Sequence, residues 1–196
     1  MLTRRRQQAI KTREKISGAA LELLKIHTIE EIGVNDICRL AGVSVGAFYH
    51  YFKNKDNIIL EVYRDLDVRF EKLAKSPRVC GLGVRDFIFA YSKCYSDFQI
   101  EVGAAFARKV YALQSGVFLD AKRPIHACLR EYLLQKQRDG KIDAALDVGE
   151  FCDYLIVILR GNAYDWCLHE GSYNLTEKLL AFLDKALARY LPLLDI

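Results

Sequence analysis

The chain has 196 residues, 52% of them apolar, with 29 lysines and arginines against 25 acids and a net charge of +4. That is material for a packed core of one or two domains, and it excludes disordered, collagen-like and low-complexity chains. No uncharged stretch approaches the roughly 18 apolar residues of a membrane span. Arg4-Arg5-Arg6 leads into a charged periodic segment rather than the apolar core of a signal peptide. The expectation is a cytoplasmic protein with no membrane association.

The charge is uneven. Residues 1–55 hold ten basic and five acidic side chains, a net of +5, which leaves −1 for residues 56–196. A basic head on a near-neutral body points to a head that meets a polyanion. The six cysteines lie 14 or more residues apart with no Cys-x-x-Cys pair. They are expected to be reduced, buried core residues, with no metal site.

In chain order, Ile16, Ala19, Ala20 and Leu23 give the first amphipathic helix, within Ile10–Ile26. Two short helical patterns follow, Val34–Ala41 and Val45–Tyr51. Lys55 to about Lys75 is helical again and ends ahead of Pro77, because proline disfavours helical geometry in the residue before it. Gly81-Leu82-Gly83 reads as a loop. Helices are then expected over Val84–Phe98 and about Val102–Leu113, followed by a loop at Ser115-Gly116. Three more are expected: Ile125–Arg138, closed by Gly140; Val148–Leu168, ended by Gly171; and Leu175–Leu191. The fold class is all-α, eight or nine helices without a sheet, divided into a head, 1–55, and a body, 56–196.

Only Gly42-Val43-Ser44 separates the two short helices, which is helix-turn-helix spacing. Gly42 supplies a left-handed backbone without a side-chain clash, and the Ser44 hydroxyl can cap the second helix. Ile37, Val43, Phe48 and Phe52 form the shared core, with small Cys38 where the two axes meet. Ser44, Val45, Gly46, Ala47, Tyr49, His50 and Tyr51 are left around the outer face. Hydroxyl and imidazole groups beside small residues suit insertion into a major groove. Lys53 and Lys55 follow, placed to neutralise phosphate. Arg4-Arg5-Arg6 reads either as a disordered arm towards a minor groove or as a solvated terminus.

Thr12-Arg13-Glu14-Lys15-Ile16, and Ile37-x3-Ala41-Gly42-Val43-Ser44-Val45-Gly46-Ala47-Phe48-Tyr49-His50-Tyr51-Phe52-Lys53-Asn54-Lys55, resemble the DNA-binding domain of the TetR family of bacterial transcriptional regulators. The resemblance covers about the first 60 residues. It implies double-stranded DNA as partner, with Ser44, Val45, Gly46, Ala47, Tyr49, His50 and Tyr51 at the groove and Lys55 on a phosphate. The sequence departs from the family pattern with Val45 for a common Lys, Ala47 for a common Thr, Thr28 for a turn glycine and Gly33 for a Ser/Thr cap.

The resemblance further implies a homodimer through the last two helices. Two stripes are the expected contact: Phe151, Tyr154, Leu155, Ile158, Asn162 and Trp166, then Leu175, Leu179, Leu183, Leu187 and Leu191. It also implies a small-molecule pocket in the aromatic middle of the chain, lined by Phe87, Tyr91, Tyr95, Phe106, Tyr111, His126 and Asn162, for an apolar or aromatic effector. Phe118 belongs to the same aromatic block. Aromatic residues at helical spacing also read as plain core. No phosphate loop, H-E-x-x-H or G-x-S-x-G motif is present, so neither an enzyme nor a cofactor is expected. The competing reading is a helical interaction or ligand-binding module that does not read DNA sequence.

Overall fold

The computed structural model describes residues 4–113 and 120–194. Its helices are α1 (Arg4–Leu24), α2 (Val34–Ala41), α3 (Val45–Tyr51), α4 (Lys55–Ala74), α5 (Pro77–Cys80), α6 (Val84–Val102), α7 (Ala104–Ala112), α8 (Pro124–Arg138), α9 (Val148–Leu168) and α10 (Leu175–Leu187), followed by a 3-10 turn, Leu191–Leu193. The described residues contain no strand, only one isolated bridge between Ile142 and Leu194. The expected Ser115-Gly116 loop and Phe118 lie outside the described residues.

In the head, α1 packs on α2 and α4, and α2 on α3. Ile16, Ala20, Ile37, Phe48 and Phe52 are buried. In the body, α4 packs on α6 and α8, α6 on α9 and α10, and α7 on α9. The helix α4 belongs to both parts. Glu61, in its second turn, takes Arg13 of α1 at 2.8 Å, while Asp67, further along, takes Arg123 at the start of α8 at 2.9 Å. A boundary after residue 55 therefore coincides with the start of a shared helix.

Several expectations are corrected. Arg4, Arg5 and Arg6 are helical, the first turn of α1, rather than a disordered arm. α6 runs on to Val102 and breaks at Gly103, whose φ of 82° only glycine takes readily. Pro77 starts an extra turn, α5, since a missing N–H costs nothing at a helix start. α10 stops at Leu187. There the chain tightens, with Tyr190 N–H on the Leu187 carbonyl at 2.8 Å, and turns so that Leu193 accepts from Asp143 N–H at 2.8 Å.

The cysteines are all free but not all core. Cys38, Cys152 and Cys167 are buried, Cys94 and Cys128 half-buried, and Cys80 exposed on the one-turn α5. Burial pushes Cys94 up to about 11 and Cys152 to about 12, so both thiols stay protonated near neutrality.

Candidate nucleic-acid interface

The turn between α2 and α3 is closed by backbone geometry. Gly42 has φ 65° and ψ 40°, and the next N–H, that of Val43, returns to the Cys38 carbonyl at 3.0 Å. Ser44 caps α3, its hydroxyl accepting from Ala47 N–H at 3.1 Å. The two departures at the preceding corner are resolved by carboxylates. Glu31 accepts from Thr28 N–H at 2.8 Å and from the Thr28 hydroxyl at 3.0 Å, which lowers its pKa, and Asp36 accepts from Gly33 N–H at 3.0 Å.

Within α3, Phe48 and Phe52 turn inward together, ring centroids 5.6 Å apart. The guanidinium of Arg13 lies over the Phe52 ring at 5.3 Å while bonded to Glu61, so it locks α1, the end of the motif and α4 together. What remains outside is Ser44, Val45, Gly46, Tyr49 and His50, all exposed. Tyr49 is 53% exposed although aromatic. Ala47 is half-buried, and so is Tyr51, which packs its ring on the head core and edge-on to His50 at 5.0 Å.

Lys55 is placed differently from a freely extended phosphate ligand. Its ammonium donates to the Ile29 carbonyl, which holds it over the start of α4 and leaves two of its three donors. Sequence reasoning missed Asn54, which caps α4 by accepting from Asn57 N–H at 3.0 Å. The Asn-x-x spacing before a periodic run was the available signal. It also missed Arg13, whose role depends on a partner 48 residues away.

The residues expected to line an effector pocket are only partly gathered. Phe87, Tyr91, Tyr95 and Phe106 are buried in the body core. Tyr91 stacks on Phe70 at 4.3 Å and donates its hydroxyl to the Ile125 carbonyl. Phe87 stacks on Tyr132 and lines a cavity of about 290 Å³ between α4, α5, α6 and α8, together with Cys80, Cys128 and Glu131. Tyr111 borders an open depression of about 420 Å³ with Val157, Arg160, Gly161 and Tyr164. His126 contacts Arg160 of α9, and the Asn162 side-chain amide donates to the Ile158 carbonyl of its own helix. No single described cavity collects all seven residues.

The two expected dimer stripes are also redistributed. Leu175, Leu179, Leu183 and Leu187 are buried within the monomer, and so are Phe151, Leu155, Ile158 and Trp166. α10 spends its leucines on α6 and α9. The apolar side chains left outside on α9 are Tyr154, Val157, Tyr164 and Leu168, with Gly161 between them, and Phe182 of α10 is exposed as well. Val157 is 66% exposed.

An all-helical body carrying a capped helix-turn-helix with an outward aromatic face defines a helix-turn-helix DNA-binding transcriptional regulator. Residues 16–62 match the model of the bacterial regulatory proteins, tetR family. Over those residues the chain resembles the TetR family of regulators. It is 24% identical to the "probable acrEF/envCD operon repressor" of Escherichia coli K12, over 98% of this chain and 92% of that one. It is 22% identical to the fatty acid metabolism regulator protein of Bacillus subtilis, over 82% and 86%. A TetR-family transcriptional regulator from Pectobacterium atrosepticum shares the fold with a TM-score of 0.70 at 17% identity, covering 96% and 97%. The Bacillus subtilis regulator FadR in complex with stearoyl-CoA superposes with a TM-score of 0.53 at 17% identity, covering 86% and 96%. Proteins of this family are in general regulators rather than enzymes. Among the described residues no helix is long and apolar enough to cross a membrane, and no group of three or more His, Cys, Asp and Glu is placed to hold a metal ion.

Proposed function

We propose that the protein is a ligand-responsive repressor that binds a near-palindromic operator as a homodimer. The observation that carries this reading is the outer face of α3, where Tyr49 and His50 stand exposed on a helix whose other side is anchored by Phe48 and Phe52. Ser44, Val45, Gly46 and Ala47 form the end of α3 that enters the groove. Tyr49, His50 and Tyr51 meet base edges and backbone, and Lys55 gives its remaining donors to a phosphate. The head, 1–55, reads DNA, and the body, 56–196, takes the effector and the second copy, with α4 common to both.

Two such heads on one duplex must sit one helical turn apart, about 34–36 Å. The exposed row on α9 with Phe182 supports pairing through α9 and α10. An apolar or aromatic effector held among the middle helices favours a dimer with another spacing. Emptying a nearly filled operator takes a preference on the order of 5 kcal/mol for that state. Selection of bound duplexes from a random pool tests the reading: a palindrome is expected, lost when Tyr49 and His50 are both replaced by alanine while helical content and dimer mass are unchanged. Selection that survives the double substitution overturns the site assignment.

A further inference from the structure

The helix α8 divides its faces. Ile125, Leu129 and Leu133 are buried in the core. Cys128, Glu131, Tyr132, Gln135 and Lys136, at i, i+3, i+4, i+7 and i+8, share another face and line the cavity of about 290 Å³. Its other walls include Ala74, the last residue of α4, Cys80 of α5 and Phe87 of α6. Its described lining includes no residue of α9 or α10, so it is separate from the outer row of α9 given to the second copy.

These walls are flat and polarizable. The Phe87 and Tyr132 rings stack with their planes 3° apart, and two thiols, Cys80 and Cys128, face the same space. Cys80 is exposed, and its thiol donates to the Ala74 carbonyl at 2.9 Å, which fixes the sulfur at the end of α4. Cys128 is half-buried; burial, and then the fields of Glu71 and Glu131, push its thiol up, so it stays protonated near neutrality. Of the two, the exposed Cys80 is the available nucleophile. Among the lining side chains Glu131 and Asp139 balance Lys136 and Arg138, so the cavity suits a neutral ligand. An apolar cavity of about 150 Å³ admits benzene, so this larger one has room for a flat molecule of one or two rings.

We infer that Cys80 is a covalent capture site for a flat, neutral α,β-unsaturated carbonyl compound, which docks in the cavity beside Phe87 and Tyr132 before its β-carbon meets the sulfur. Its role as an effector rests on the regulator reading above. In the reaction the thiol releases its proton to water and the sulfur forms a bond to the β-carbon. The π pair of the double bond moves to the carbonyl oxygen as an enolate, which takes back one proton at the α-carbon. Nothing leaves and no oxidant is consumed, so the adduct weighs the sum of its parts. The Lys136 ammonium, which lines the same cavity, offers positive charge to the enolate. The adduct lies against Ala74 and so bears on the end of α4, the helix that holds Arg13 of the head near its start.

The test uses the full chain and N-phenylmaleimide, beside N-phenylsuccinimide, which has nearly the same shape and no reactive double bond. Peptide mapping by mass spectrometry is expected to place the first adduct at Cys80. Its rate of formation saturates as the reagent is raised and falls about fivefold or more under excess succinimide, which occupies the cavity without reacting. Cys80→Ser removes the adduct. Cys128→Leu, which fills the space from α8, returns Cys80 to a rate proportional to reagent. A parent rate proportional to reagent and indifferent to the succinimide, as for any exposed thiol, overturns the proposal, and so does a first adduct at another cysteine or saturation that survives Cys128→Leu. If Cys128→Leu melts early, the two measurements on the parent chain decide alone. Operator retention is measured separately. Saturable capture that leaves it unchanged overturns the effector role, whereas a chain that retains no operator before labelling fails the regulator reading and leaves the capture site standing.

Discussion

Glu101, near the end of α6, joins head to body through Lys25, which directly follows α1: its carboxylate lies 3.5 Å from the Lys25 ammonium and 2.7 Å from the Arg69 guanidinium on α4. The bond to Arg69 and then the two positive fields hold Glu101 below its ordinary 4.5. A depressed acid contributes stability that is present above 4.5 and lost as the pH falls through its own lower value. Glu101→Gln is expected to leave the affinity of the ligand-free protein for its operator within about threefold while reducing the effect of a saturating effector on that affinity. Gel retardation with and without effector measures both quantities, and unchanged coupling would show that the link is incidental.

Gly42 isolates backbone strain from crowding. An added Cβ there would meet nothing within 4 Å, so Gly42→Ala costs only the left-handed φ of 65°. The expected loss is about 1 to 2 kcal/mol. Chemical denaturation reads it, and a drop below half of that range would mean the turn relaxes to another conformation.

The three arginines at the start of α1 sit at the end of a helix where positive charge is unfavourable, with no acid in the first turn to offset them. A polyanion alongside would reverse that penalty. Replacing all three by alanine is expected to lower the slope of log affinity against log salt by about 1 to 3, since each lost phosphate contact removes about 0.9. A slope that does not change would mean that these side chains point away from the duplex.

The two faces of the last helices should respond oppositely to substitution. Val157→Glu, on the outer row of α9, is expected to yield folded monomers by analytical ultracentrifugation. Leu183→Ala, at 0% exposure in the monomer core, should destabilise each subunit by about 2 to 5 kcal/mol. A fully dimeric Val157→Glu protein would move the interface elsewhere.

His126 gives an acid-side signature. Its neutral form is the one the fold accommodates, so stability is full above 6.5 and declines as the pH falls below that value. Arg160 and Arg123 oppose its protonation, and Asp153 and Asp67 favour it less strongly. His27, His50 and His169 are exposed, so His126→Gln is expected to flatten most of the decline in melting temperature between about pH 6.5 and 5.

The helix-turn-helix was legible because its information is local: a glycine that must be left-handed, a serine cap, and two phenylalanines one turn apart. The body was legible as helices but not as surfaces. Periodicity reports that α10 has an apolar face, and only the packed chain shows that Leu179 and Leu183 spend it on α6 and α9 rather than on a second copy. α9 is apolar nearly all round, so Ile158, which is buried, and Val157, which is exposed, are indistinguishable in sequence. Cys80 escaped burial because the proline expected only to end α4 starts a turn of its own.

The uninterrupted run of α4 from its Asn54 cap to Ala74 has a mechanical consequence. Its 20 residues make a rod about 30 Å long, gripped at one end by Arg13 and at mid-length by Arg123. A tilt of about 6° at the body end would carry the far tip about 3 Å sideways, approaching the rise of one base pair. A ligand therefore need not melt or reshape the reading head to dislodge it; a small lean of this lever is displacement enough.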